Sequence, residues 1–200
     1  MITGKMNHIK HSIKIIIVLT FFFVNLASAS AENKIEFPEL LNLFASIEQR
    51  TVDFSEEKYA FYLDEPIKTS GYLQFKAPDK LSKHISIPEK ISQEINGNIL
   101  TIINSTESHT VNLEDHPEFS VILQSIINLL SGNHSALQKD FKINFNKQLT
   151  DWTLVLTPRN SFIASQVESI QMNGNTNKLS KIIVTEANKD RSITHIYNHR

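Results

Sequence analysis

From residue 37 onward the apolar positions follow two alternating periods. Leu40, Leu41, Phe44 and Ile47 recur at helical spacing behind Phe37-Pro38-Glu39, and proline suits a first helical turn because its missing N–H leaves no bond unmade there. This predicts a first helix that runs out at Glu48-Gln49-Arg50. The period then drops to two. Val52, Phe54 and Glu56 share one face of a short strand, and Tyr59, Phe61 and Leu63 alternate in the same way before the turn Asp64-Glu65-Pro66. Thr69 to Lys76 reads as a strand with Leu73 and Phe75 on one face and Tyr72, Gln74 and Lys76 on the other. Ala77-Pro78-Asp79-Lys80 turns into a strand over 81–87, which Pro88 stops. Residues 90–95 and 99–103 flank Asn96-Gly97-Asn98 as a hairpin, since Asn-Gly supplies the positive φ of a tight turn. Residues 108–113 form the next strand. From 118 the helical period returns in Phe119, Ile122, Ile126, Leu129 and Leu130, closed by Ser131-Gly132-Asn133 with Gly132 as C-terminal cap. Residues 134–140 add a short turn of helix. Strands resume at 141–145, 152–157, 166–172, 179–186 and 191–197, separated by 146–151, Pro158-Arg159-Asn160, Asn173-Gly174-Asn175 and 187–190.

The pattern is that of a mainly β (α+β) domain: a long antiparallel meander with two amphipathic helices, one ahead of the strands and one interrupting them. So many short strands joined by turns imply a barrel or a strongly curved sheet. Two helices then either complete a filled core or cover a concave face they are too few to fill. In the second case the cavity lining falls to Leu40, Phe44, Leu73, Phe75, Ile122, Ile126, Trp152 and Leu154, the large apolar residues on the single-sided faces.

The first 31 residues have a different character. Lys5, Lys10 and Lys14 carry charge with no acid, residues 15–24 are an apolar run interrupted by Thr20 alone, and Ala27-Ser28-Ala29-Ser30-Ala31 is small at every position. A basic start, a short apolar core and an A-x-A exit make a secretory signal peptide, cleaved after Ala29 or Ala31; a spanning helix needs roughly 20 apolar residues. The expected organisation is a cleaved leader over 1–31 and one domain over 32–200.

Composition narrows the function. The 200 residues carry Lys+Arg 20 against Asp+Glu 21, without the basic excess of a nucleic-acid binder. Cys 0 removes disulfides, thiol nucleophiles and cysteine metal sites, and an exported domain without cysteine suits a bacterial periplasm. Gly 5 leaves little material for a phosphate-cradling loop. His84, His109, His116, His134, His195 and His199 form no ligand pair at helical spacing, and no G-x-S-x-G is present. Glu56-Glu57 and Glu114-Asp115 read as solvated surface, and Asp190-Arg191-Ser192 as a turn in which the aspartate bonds its local backbone. No enzyme, metal or cofactor is expected.

The ordered set Val52-Asp53-Phe54-Ser55-Glu56, then Gly71-Tyr72-Leu73-Gln74-Phe75-Lys76-Ala77-Pro78-Asp79-Lys80-Leu81, then Ile95-Asn96-Gly97-Asn98-Ile99-Leu100, then Trp152-Thr153-Leu154-Val155-Leu156-Thr157-Pro158, with the closing strands 182–186 and 191–197, resembles the LolA/LolB-like family of periplasmic lipoprotein carriers. The resemblance covers nearly all of the chain after the leader. It implies an unclosed antiparallel β-barrel, a half-barrel of about 11 strands, with helices as a lid over an apolar cavity. It also implies a non-enzymatic, monomeric periplasmic carrier that takes the acyl chains of a lipoprotein or lipid from an inner-membrane donor to an outer-membrane acceptor. The alternative is a periplasmic module that binds protein partners through a strand edge. In the family's lipoprotein carriers an arginine just before the matching proline ties the lid to the barrel; here that position is Ala77. The departure, with Pro78-Asp79-Lys80-Leu81 and the Asp190-Arg191-Ser192 turn, resembles a divergent subgroup whose cargo is a glycolipid or another acylated lipid.

Overall fold

The computed structural model describes residues 36–197. The expected leader over 1–31, its cleavage sites and His199 lie outside the described residues. A helix α1 (Phe37–Ala45) leads into eleven strands: β1 (Gln49–Tyr59), β2 (Ile67–Lys76), β3 (Lys80–Ile87), β4 (Ile91–Asn96), β5 (Ile99–Ile103), β6 (Ser108–Asn112), β7 (Phe141–Gln148), β8 (Asp151–Pro158), β9 (Val167–Asn175), β10 (Lys178–Glu186) and β11 (Arg191–Tyr197). Between β6 and β7 stand α2 (Pro117–Leu130) and α3 (His134–Asp140), and a single turn of helix, α4 (Ser161–Ala164), joins β8 to β9.

All eleven strands form one antiparallel sheet in the order β6-β5-β4-β3-β2-β1-β11-β10-β9-β8-β7. The first strand pairs with the last, from Asp53 opposite Tyr197 to Tyr59 opposite Arg191. The outermost strands, β6 and β7, do not pair with each other, so the barrel is open.

Local chemistry accounts for the elements. Pro38 stands in the first turn of α1, and the Glu39 carboxylate accepts from the Glu36 N–H at 3.2 Å in a capping box. Gly97 and Gly132 take φ of +59 and +72, the left-handed conformation that a missing Cβ makes accessible. Gly132 also lets the end of α2 approach α1, since a Cβ there would stand 2.8 Å from the Leu41 carbonyl oxygen.

Three expectations are corrected. The first helix stops at Ala45, and β1 starts by Gln49. Tyr59 closes β1, and Phe61 and Leu63 belong to the loop after it. Asn173-Gly174-Asn175 is the end of β9 and the turn comes after it, with Thr176 at φ +51. Gly174 is needed for another reason: a Cβ there would meet Trp152 Cζ2 at 2.3 Å and the Lys178 carbonyl oxygen at 2.4 Å.

The interior divides unequally. Over β7–β10 it is solid: Phe37, Leu40, Leu41 and Phe44 of α1 interlock with Phe141, Trp152, Leu154, Leu156, Ile170 and Met172, and the rings of Phe44 and Trp152 meet edge to face at 5.9 Å. A smaller cluster of Phe75, Leu81, Ile95, Leu113 and Ile127 seals the far side under α2. Between the two clusters the concave face is not filled.

Candidate functional site

The gap is a cavity of about 630 Å³, within the roughly 300–1,000 Å³ typical of small-molecule sites. Strand alternation decides its walls. On β1 the even-numbered residues face inward, on β2 and β3 the odd-numbered ones, and on β11 the even-numbered ones again. Val52, Leu73, Phe75, Leu81, Ile95, Leu100, Ile102, Leu179, Ile182, Val184 and Ile196 thus form a continuous apolar lining. The roof is α2, which presents Phe119, Ile122, Leu123, Ile126 and Leu130 at i, i+3, i+4 spacing. Phe119 is 56% exposed at the edge of this roof.

Six polar residues of the lining gather toward one end, with Gln93 opposite one of them, Lys83, on β4; Arg50 and His116 stand apart from the six. Hairpin register brings the β1–β2 loop, the β3–β4 loop and the β10–β11 turn to the same end of the sheet; toward that end the inward positions are Glu56, Lys58, Glu186, Ser192 and Thr194, and Lys83, level with Leu73 and Val52 by register, reaches up to Glu56 from mid-strand. Lys83 Nζ lies 2.8 Å from Glu56 Oε1 with both side chains under a quarter exposed, and the ammonium stands 5.0 Å from the centre of the Phe54 ring. The Thr194 hydroxyl donates to Glu56 Oε2 at 2.7 Å. Lys58 and Glu186 pair at 3.3 Å. The neighbouring inward position on β2 is Thr69, opposite Glu56; its hydroxyl is buried and makes no hydrogen bond within the described structure.

At the opposite end Arg50 crosses the cavity floor and donates to the Asn177 carbonyl. Burial lowers the pKa of its guanidinium, since removal from water disfavours the charged form. The contact links β1 to the β9–β10 turn, beyond the point at which β11 pairing ends. Ala77, where the carrier pattern has arginine, offers only its backbone N–H, which donates to the Glu48 carbonyl at 2.9 Å. The helices are held instead by apolar contact.

The Asp190-Arg191-Ser192 turn borders this charged mouth and contributes Ser192 alone to the lining. The Asp190 carboxylate accepts the Phe61 N–H of the adjoining β1–β2 loop at 3.0 Å in place of the expected bond to its local backbone. Arg191 stands 5.5 Å from the Tyr59 ring, and Ser192 lines the cavity. The loop so fixed carries Phe61 and Tyr62, 84% and 66% exposed and packed edge to face at 5.4 Å.

Of the lining residues named from sequence, the structure brings Leu73, Phe75, Ile122 and Ile126 together around the cavity. Leu40, Phe44, Trp152 and Leu154 lie in the solid half and do not line it. The apolar faces of α1 and β8 meet each other there, so no space is left between them. Sequence reasoning missed the charged mouth. Glu56 was expected at the solvated surface, yet it shares the inward face with Val52 and Phe54, and that shared period was the available signal.

The profile of the family described as outer membrane lipoprotein carrier protein LolA-like matches residues 29–195. The chain belongs to this LolA-like family. The family is described by its lipoprotein carriers, and the open antiparallel sheet of this chain agrees with the unclosed barrel expected of it. No curated protein matches the chain by sequence. Among solved structures, the chain is similar to a LolA superfamily protein from Nitrosomonas europaea at 10% identity and TM-score 0.41, covering 80% of this chain and 92% of that one. It is similar to the lipoprotein LppX of Mycobacterium tuberculosis at 7% identity and TM-score 0.39, covering 82% and 97%. It is also similar to a DUF1329 family protein from Desulfovibrio piger at 7% identity and TM-score 0.41, covering 81% and 89%.

Proposed function

We propose that the protein is a periplasmic carrier that shelters the acyl chains of a lipid or lipoprotein during transfer from the inner to the outer membrane. The observation that carries this reading is the unfilled apolar cavity under α2, in a domain whose other half is packed solid. The physics is favourable: each methylene moved from water to an apolar wall contributes about 0.8 kcal/mol, so a chain of a dozen gains about 10 kcal/mol. Leu73, Phe75, Ile122 and Ile126 would contact the chains directly, while Leu40, Phe44, Trp152 and Leu154 would hold the scaffold. Removal of a leader at Ala29 or Ala31 would deliver the domain to the periplasm. The reading includes no catalytic step, and donor and acceptor proteins at the two membranes would load and unload the carrier.

The test is native and then denaturing mass spectrometry of protein exported by a bacterial host and purified without detergent, with lipid extraction of the same sample. The expected result is an N-terminus at Ser30 or Glu32 and an acyl-bearing mass released on denaturation. A bare protein that also fails to take up an apolar fluorescent probe would overturn the carrier reading. That outcome would favour the alternative, a partner-binding module, for which the unpaired edges of β6 and β7 supply the motive.

A further inference from the structure

The charged residues at the cavity mouth are not required by the fold. Positions 56, 58, 83 and 186 face inward in the same alternation that elsewhere holds Val, Leu, Phe and Ile, and apolar residues there would pack at least as favourably as a half-buried ion pair. What the charges do is give the cavity a polar end. Along β1 the apolar stretch between Arg50 and Glu56 spans six residues, about 20 Å at strand rise. One leaflet of a bilayer is about 15 Å of hydrocarbon. A single acyl chain lying on this floor with its tail toward Arg50 brings its head to Glu56, Lys83 and Thr194.

Resting on the carrier reading, we propose that this cluster is a headgroup site for a lipid whose head is uncharged and rich in hydroxyls, of the glycerol or sugar class. Charge balance selects the class. Two lysines stand against two glutamates, so an anionic head would meet Glu56 and Glu186 as closely as it meets Lys83 and Lys58, and a cationic head would face the reverse. A hydroxylated head accepts from the ammonium groups and donates to the carboxylates with no charge of its own to desolvate. Ser192 and Thr194 extend the set. Behind the lining, opposite Glu56, the buried Thr69 hydroxyl makes no hydrogen bond among the described residues.

The experiment is displacement of an apolar fluorescent probe from the purified protein by ligands sharing one dodecyl tail: dodecanoylglycerol, dodecyl maltoside, dodecanoate and dodecylamine, each below its micelle concentration. The two uncharged heads are expected to displace the probe at about tenfold lower concentration, a difference of about 1.4 kcal/mol. In the double variant Glu56→Gln with Lys83→Met this preference, read against the variant's own probe affinity, should fall to within about twofold. Should that variant fail to fold by circular dichroism, Lys58→Met with Glu186→Gln removes the more exposed pair and should narrow the preference. Equal displacement by all four heads, tighter binding of a charged head, or a preference unchanged in a folded variant would overturn the headgroup site while leaving the cavity intact. Absence of probe uptake by the unmodified protein would overturn the carrier reading itself, and the headgroup site with it.

Discussion

Removing the same three carbons from two leucines separates the solid half of the domain from the hollow half. Leu154 is 0% exposed and enclosed by Trp152, Leu156, Ile170, Met172 and the rest of the main cluster. Leu→Ala at such a site loses the transfer energy of the side chain and leaves a hole that rigid neighbours cannot close, about 2.7–5 kcal/mol. Leu73 belongs to the cavity wall and is half-buried, so roughly half of its side chain has no protein partner to lose. At about 0.8 kcal/mol per methylene the cost is about 1 kcal/mol. Each kcal/mol lowers the melting temperature of a domain this size by about 2–4 °C. Leu154→Ala should therefore melt about 5–20 °C below the parent and Leu73→Ala about 2–4 °C below it. Probe affinity should move the other way, weakened in Leu73→Ala and unchanged in Leu154→Ala wherever that variant is folded. Thermal melts and probe titration at one temperature read both. Equal losses of stability, or a probe affinity that follows Leu154, would refute the division into a filled half and an open half.

Three further outcomes follow from the same geometry. Asp190→Ala removes the acceptor of the Phe61 N–H; amides at 60–65 should exchange with deuterium faster while those of β7 and β8 keep their protection, and a cost of about 1–3 kcal/mol is expected. Gly174→Ala drives a methyl group into the Trp152 ring; overpacking of this kind costs about 1–3 kcal/mol, and the emission of Trp152, whose Nε1 now donates to the Thr176 carbonyl at 2.8 Å, should shift to the red. Ile126→Asp places a carboxylate in the roof, where the side chain is half-buried; uptake of the apolar probe should be lost in a protein that retains its circular dichroism, and undiminished uptake would remove α2 from the site.

Much of this architecture is legible in the sequence because it is written in local rules. Alternation places Leu73 and Phe75 on one face, Asn-Gly closes the 96–99 turn, and Gly132 ends α2 where a left-handed residue is required. What periodicity does not encode is the element that an apolar face meets. Leu40 and Phe44 recur at the same spacing as Ile122 and Ile126, yet Leu40 and Phe44 are buried against Trp152 and Leu154, whereas Ile122 and Ile126 face the open cavity. The difference arises from how the β7–β10 half wraps α1, a matter of tertiary curvature. Gly174 shows the same limit: flanked by two asparagines it carries every local mark of a turn, and only the position of the Trp152 ring explains why it sits in a strand. The charged mouth lay nearer to reach, since Glu56 shares the face of Val52 and Phe54. Its partners Lys83 and Thr194 are distant in sequence and are joined to it by sheet order alone.

The two stripes of α2 bear on how such a cavity opens. Val121, Ser125 and Leu129, spaced by four, are buried, and Val121 and Leu129 pack into the main cluster, while Ile127 is buried in the smaller one. The adjacent stripe of Ile122, Ile126 and Leu130 roofs the cavity. Lifting the whole helix would return Val121, Ile127 and Leu129 to water at about 1.5–3 kcal/mol each, a sum comparable to the entire stability of a typical domain, about 5–15 kcal/mol. A roof so anchored needs no arginine at position 77 to keep it shut, which gives a physical reason why alanine is sufficient there. It also moves the point of entry. With α2 fixed at Leu129 and against α1 through Gly132, the least costly opening lies away from the α1 side of the roof, where Phe119 stands exposed at its edge.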